Sequence, residues 1–533
     1  GECAAGSGTD VITFTVSGTI FTTRLPDITQ PLTIDGAGKI TLNGQGGSSF
    51  FIANANPIHL KQLVFTNGRA LYGGAFFVGG SGVVYLEKST VSNSRAQQGG
   101  GIIVGGGGDL YVVDSTISGN TATTSGGGIH LQGNGYASVT TSTVSGNTAP
   151  YGGGLYISSS AIAAVHTSTI AKNSATTTGG AVYAQPSSAM SLYGSTVALN
   201  SATTSTGGIH ADAAASTDVQ NSIVAGNTKG NTSTNAIDNS VSNIIGGSIT
   251  GLLDPAGLQA NGGPTRTVKL LSTATAALDH GNQTVCDATS PLDQRGQVRG
   301  SPCDIGAVER DRTKPTTTAP VVQLRSGTNL SGTGMRAVIR WTGADGSGVG
   351  IARYQLQQSI NGGSFSTISS SLTGTSKTIT LANGSDYRFR VRAVDRDGNT
   401  GSYATSPTLK PRLVQNTSAS VTYGGSWTTA SSSSYSGGSV RYATQTDNET
   451  ATYAFTGSSV AFITTTAKSR GLVRIYIDNT LVGLLDLYSS SASYRRSLYA
   501  KSWPTSGAHT IRIENYGGTG RTRADIDAFA VIK

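Results

Sequence analysis

The sequence predicts an all-β protein, and three observations carry the prediction: a composition low in charge and high in glycine, a repeat of near-constant length, and apolar–polar alternation inside each repeat. Charged residues make up 12% of the 533 positions, glycine occurs 73 times and methionine twice. Such a chain lacks the long charged side chains that coat helices and abounds in turn formers, which favours many short strands and almost no helix.

The repeat sets the first element. STVSNSRA begins at Ser89, STISGNTA at Ser115, STVSGNTA at Ser142, STIAKNSA at Ser168, STVALNSA at Ser195 and SIVAGNT at Ser222, with successive offsets of 26, 27, 26, 27 and 27. A degenerate copy, LVFTNGRA, starts at Leu63, 26 residues before Ser89. Within a unit, stretches such as GGGIHLQ and YASVTTSTV alternate with the period of a strand, so one unit reads as a coil of about three short strands. Stacked in register, the coils form a right-handed parallel β-helix over residues 1–250, with rungs about 4.8 Å apart.

Equal offsets define columns along that helix. Asn120, Asn147, Asn173, Asn200 and Asn227, with Ser94 in the earliest copy, form one column. Asparagine tolerates a left-handed corner and its amide can bond to its neighbour one rung away, so this column reads as an internal ladder. Phe76, Ile102, Ile129, Leu155, Val182 and Ile209 point inward, while the next residues, Phe77, Ile103, His130, Tyr156, Tyr183 and His210, form an outward stripe. The stripe fits either cross-rung stacking or a docking strip for sugar rings or a neighbouring subunit.

Polysaccharide cleavage on such a scaffold needs carboxylates converging across rungs. Glu87, Asp109, Asp114, Asp212 and Asp218 lie 2, 6, 1, 10 and 4 residues before their serines, so no two share a column. His130 and His210 do share one, but three rungs, roughly 14 Å, separate them. No catalytic residue, cofactor or metal is therefore expected, and a lyase or hydrolase stands as the alternative.

Charge divides the chain. Residues 1–310 hold 13 basic and 16 acidic groups, and residues 311–533 hold 24 and 12. The balance is thus −3 (13 minus 16) against +12 (24 minus 12), which suits head-to-tail contact between copies or an acidic polymer on the basic part. No nucleic-acid motif accompanies the charge, so nucleic acid is not the expected partner. No run of 18 apolar residues exists to span a membrane. Cys286 and Cys303 close a short loop as a disulfide, which suits an extracytoplasmic protein and leaves Cys3 over.

Residues 251–310 break the period and read as a cap for the open end of the coil. Here NGGPTRT, ALDHGN, DQRG and CDIGAVE resemble the choice-of-anchor Q domain of bacterial surface β-helix proteins. Upstream, CAAGSGTDVITFTVSGTI and LPDITQPLTIDGAG look like the region that follows the CSLREA segment in those proteins. The resemblance implies a secreted or cell-surface bacterial protein with no catalytic residues to carry over. It also implies an expected partner for Cys3 and a cover for the first coil in a segment this sequence does not contain, so end-to-end association is expected.

DRTKPTTTAP, residues 311–320, reads as a stiff linker. Beyond it, AVIRWTGADGSGVGIARYQLQQS and YRFRVRAVDRDGNTGSYA resemble a fibronectin type III sandwich over 321–411, with Trp341 in the core and Tyr387 at the tyrosine corner. Alternation places Arg388, Arg390 and Arg392 outward as a basic stripe, a solvated face or a grip for an acidic polymer or a neighbour. DRDGN is read as a turn without metal.

Residues 412–533 resemble the galactose-binding-like jelly rolls of bacterial extracellular proteins, which implies Trp427, Tyr435, Trp503, Tyr516 and Arg521 as glycan-binding candidates near loops. The function expected is noncatalytic: an extracellular structural or adhesive protein that self-associates into a filament, sheath or surface layer. A monomeric carbohydrate-binding adhesin is the other version.

Overall fold

A computed structural model describes residues 10–22, 24–233, 238–332, 334–444, 449–518 and 520–533, so Cys3 lies outside the described residues. The chain divides into two compact units, Gly1–Arg312 and Thr313–Lys533. Both are built of strands, and Gln283–Thr289 is the single α-helix among the described residues.

The first unit is a parallel β-solenoid. One coil runs Ile102–Val104, Asp109–Val113, Thr116–Ser118 and Thr121–Ser125, four strands rather than the expected three. The fourth is the TATTS stretch, whose one apolar residue, the buried Ala122, gives no alternation from which to read a strand. Register is that of the sequence offsets: Ile102 pairs with Ile129, and Ile129 with Leu155. All six inward residues from Phe76 to Ile209 are fully buried.

Two internal ladders run beside this apolar column. The asparagines are one: Asn147 donates from Nδ2 to Ile117 O (3.0 Å) and to Asn173 Oδ1 (2.9 Å). Its own Oδ1 accepts from the backbone N–H (2.9 Å) and Nδ2 (3.0 Å) of Asn120. The left-handed residue of that corner is the preceding one, Asn93, Gly119, Gly146, Lys172, Leu199 or Gly226, which leaves the asparagine itself free for bonding. The repeat serines are the second ladder. Ser115 Oγ shares its one proton between Val113 O and Leu86 O (2.7 and 3.0 Å) and accepts from Ser89 N (2.9 Å). Each ladder satisfies backbone groups at a buried corner where strand pairing is interrupted.

Residues 251–310 do not sit over the end of the coil alone, as the cap reading expected; they run back along the solenoid's flank. Leu252, Leu253, Val268, Leu270, Ala277 and Ile305 pack on Ala171, Ala198, Ile223 and Ala225. Gln294 bonds to Ser142 O (2.9 Å) and Thr169 Oγ1 (2.6 Å), and Thr265 Oγ1 donates to Thr141 O (3.1 Å). A sequence signal for this docking exists. In the column Ser92, Ser118, Ser145, Ala171, Ala198, Ala225 the outward residue turns from serine to alanine where the flank becomes covered. Cys286 and Cys303 are bridged within this segment.

The second unit holds antiparallel sheets. A three-stranded sheet (Val321–Leu324, Met335–Arg340, Ser376–Leu381) and a four-stranded one (Ser366–Leu372, Ile351–Ile360, Tyr387–Asp395, Ala404–Thr405) enclose Trp341, Tyr354, Leu356 and Phe389. Tyr387 Oη accepts from Ala382 N at 3.0 Å, fixing the corner five residues upstream. The larger sheet beyond is led by Thr450–Thr466 and Ser493–Gly517. Its Ala461, Ile463, Ala528 and Ala530 join the core of Trp341 and Leu356, so the modules expected at 321–411 and 412–533 share buried surface.

Candidate functional site

The outward stripe is one continuous column: Phe77 pairs with Ile103, Ile103 with His130, His130 with Tyr156, Tyr156 with Tyr183 and Tyr183 with His210. Phe77 is partly exposed, but the next two residues are not surface: Ile103 is fully buried and His130 is 3% exposed. Glycine corners of the same coils pass over these side chains; a Cβ on Gly126 would stand 2.6 Å from His130 Cβ. Burial lowers the His130 pKa to about 4, so the ring is neutral at physiological pH and bonds to Ser125 Oγ at 3.0 Å.

Further along, the rings stack on one another. Centroid separations are 4.7 Å for His130–Tyr156, 5.3 Å for Tyr156–Tyr183 and 5.1 Å for Tyr183–His210, with interplanar angles of 25°, 3° and 14°. Rings stacked so present edges to solvent, and their faces are not open to a sugar ring. At its end the column meets Asp212: Tyr183 Oη donates to Asp212 Oδ2 (2.8 Å), and His210 Nε2 lies 3.3 Å from Oδ1. Burial, with this bond to Asp212, raises the Tyr183 pKa. A column-by-column comparison of carboxylates cannot see this trio, because Asp212 stands two residues from His210 and reaches Tyr183 across a rung.

A second outward ladder went unread in the sequence. His59, Tyr85 and Tyr111 stack at 4.7 and 4.8 Å, with Tyr136 edge-on at 5.8 Å. Glu87 lies 3.4 Å from His59 Nδ1 and 3.3 Å from Lys61 Nζ. Column alignment of Tyr85 and Tyr111, 26 residues apart, was the available signal.

In the second unit the five glycan candidates have separate surroundings. Trp427 donates from Nε1 to Gly424 O (2.9 Å) and lies edge-on to Tyr423. Tyr435 is buried against Tyr494. Trp503 stacks at 3.8 Å on His509, itself 2.8 Å from Asp478. Tyr516 carries the Arg474 guanidinium at 3.9 Å, and Arg521 pairs with Asp486 at 3.2 Å and lies over Tyr488. Among the described residues no ring or hydrogen-bond partner is common to any two of the five. The basic stripe is ordered differently: Arg390 lies over Phe365 (4.1 Å) and Tyr403 (4.2 Å), and Arg392 over Tyr403 (4.5 Å).

One buried carboxyl was missed altogether. Asp527 Oδ1 accepts from Ser436 N (2.8 Å), while Oδ2 has no hydrogen-bond partner among the described residues, and burial pushes its pKa up to about 7. A raised acid contributes least once ionised, so its contribution is present at low pH and is lost as pH rises from about 4 to about 7. Asp527→Asn is expected to raise stability at pH 7.5 by about 2 kcal/mol and to flatten the stability curve across that window. Melting temperatures measured from pH 4 to 8 check this; equal slopes for the two proteins would refute it.

Among the described residues no helix is long and apolar enough to cross a membrane. Solved structures similar to this chain include the exo-β-1,3-galactanase of Phanerochaete chrysosporium with galactose (14% identity, TM-score 0.19) and the α-L-rhamnosidase of Streptomyces avermitilis with L-rhamnose (13%, TM-score 0.12). The first match covers 45% of this chain and 61% of the galactanase; the second covers 41% and 23%. At those scores neither likeness bears on function. No curated protein matches the chain. A family model described as a right handed beta helix region matches residues 48–243, the stretch in which the stacked coils are observed, and on both counts that region has the fold of a right-handed β-helix.

Proposed function

We propose that this is a noncatalytic extracellular scaffold whose copies associate through exposed apolar strands at the edges of its sheets. The observation that carries the proposal is the first described coil. Asp10–Thr13 and Gly18–Phe21 pair only inward, with Leu32–Asn43, and no described strand covers their outer edge. Val11, Ile12, Val16, Ile20 and Phe21 are exposed there, Val16 at 68% and Phe21 at 64%. Apolar edges of this kind, with Asp10 as their one charged residue, are templates for pairing with another chain.

A second such edge lies in the other unit. Thr480–Asp486, sequence TLVGLLD, is the last strand of its sheet, and Leu481, Val482 and Leu484 are exposed. The opposite edge of that sheet, Pro411–Gln415, carries a proline and an arginine that discourage pairing. Two separate self-pairing edges on one chain give an open polymer, because each contact leaves the other edge free. The solenoid's buried asparagines and serines are engaged in their own ladders, and the bridged cysteines suit an oxidising compartment.

Electron microscopy of the purified protein tests the reading. Polymers are expected, with Phe21→Lys or Leu484→Lys reducing them to short species and the double variant to monomers. Persistent monomers that bind glycans would favour an adhesin. Unsaturated or reducing ends released from acidic polysaccharides would favour an enzyme.

A further inference from the structure

The four-stranded sheet of the second unit buries Tyr354, Leu356, Phe389 and Val391 on one face. Its other face carries Arg353, Gln355 and Gln357 on one strand and Arg388, Arg390 and Arg392 on the next, paired Gln357 to Arg390 and Gln355 to Arg392. The guanidinium groups are held from two directions. Phe365 and Tyr403 contact their planes, and Nε of Arg390 and Arg392 donates to Gln357 Oε1 and Gln355 Oε1, both at 2.7 Å. Gln357 is fixed in turn by donation from Nε2 to Thr367 Oγ1 at 3.3 Å.

With Nε occupied, the terminal nitrogens of both half-buried groups have no hydrogen-bond partner among the described residues. Among the described residues no carboxylate lies within ion-pair distance of Arg353, Arg388, Arg390 or Arg392, although Arg412, Arg474 and Arg512 on this unit's larger sheet each have one. Alternate residues on a strand stand about 6.8 Å apart, so three like charges are aligned without an acid between them. Ring contacts and the glutamines fix this arrangement but do not neutralise it.

We propose that this face binds an acidic polysaccharide, with carboxylates of successive sugar units each meeting a guanidinium edge at Arg388, Arg390 and Arg392. Planar, oriented guanidinium groups suit carboxylates, which they bind through paired N–H donors. A single-stranded nucleic acid would instead need ring faces for its bases, and here Phe365 and Tyr403 are covered by arginine. The proposal rests on the scaffold reading and names the class of polymer such a scaffold would hold.

Affinity electrophoresis of the full chain through gels containing polygalacturonate tests it. Retardation is expected at low salt and is lost toward about 0.5 M, where exposed charges are screened. The triple variant R388Q/R390Q/R392Q should bind at least about tenfold more weakly, and R390K/R392K, which keeps charge but not the planar group, should fall between. Arg388→Gln, at an exposed position 6.0 Å from Phe365, keeps the test open if the triple variant does not fold; it should weaken binding with an unchanged melting temperature. Unretarded native protein, equal retardation of all variants, or tighter binding of poly(dT) than of the polyuronate would each overturn the assignment. Polymer formation by a chain that ignores polygalacturonate would leave the scaffold reading intact, and the converse result would remove only that reading.

Discussion

Gly127→Ala is expected to destabilise the solenoid by about 3–5 kcal/mol, at the upper end of single-substitution effects. Gly74, Gly100, Gly127, Gly153, Gly180 and Gly207 form a column in which each backbone abuts the next rung. A Cβ on Gly127 would stand 2.4 Å from Gly153 O and 2.7 Å from Thr148 N and O. Those contacts are backbone on both sides, so no side chain can turn away, and relief requires the rungs to part. Parting them lengthens the hydrogen bonds that Gly127 N and Gly128 N donate to the coil below, at 3.1 and 3.2 Å. Gly133→Ala is the control. Its added methyl meets nothing within 4 Å, and only its φ of +56° opposes the change, at a cost of about 1 kcal/mol. Thermal unfolding followed by circular dichroism should separate the two variants by many degrees; equal melting temperatures would show that the rungs yield freely.

Asn147→Ala should have a comparable effect for a different reason. The substitution removes four hydrogen bonds at once, two donated to Ile117 O and Asn173 Oδ1 and two accepted from Asn120. Left behind, in fully buried residues, are the Asn120 N–H without its acceptor and the Ile117 carbonyl with one of its donors gone. At about 1–3 kcal/mol for each buried group left unpaired, the loss comes to about 3–5 kcal/mol. Position along the ladder should matter. Asn227, at 9% exposed and bonded onward to Asn231 Oδ1, stands where solvent reaches, so Asn227→Ala should lose less than half as much. Chemical denaturation of the two variants side by side measures the difference, and a uniform loss would mean that the ladder does not act through burial.

Both expectations concern features legible before any coordinates, since glycine and asparagine columns follow from equal offsets. The candidate sites were far less so. His130 was placed in the correct column yet on the wrong side of the solvent boundary, because a glycine corner covers it and glycine carries no side chain to announce contact. Asp212 was set aside for lacking a carboxylate in its own column, whereas its partners are a phenol and an imidazole from neighbouring positions. Alternation turns Arg390 and Arg392 outward, but Phe365 and Tyr403 come from outside that strand pattern, and only the folded sheet brings them together.

What the sequence determined by itself is the solenoid: its register, its inward apolar column and its polar ladder. A repeated coil stacks only where equivalent residues superpose, so every unit states the same local information and the period alone is enough. What tertiary structure decided is which outward residues stay outward. The return of residues 251–310 along the flank covers a column that polar residues held two coils earlier, and the second unit's sheets merge into a common core. Both depend on contacts between segments far apart in the chain, where no periodic signal reports the approach and burial is settled by what arrives to cover each surface.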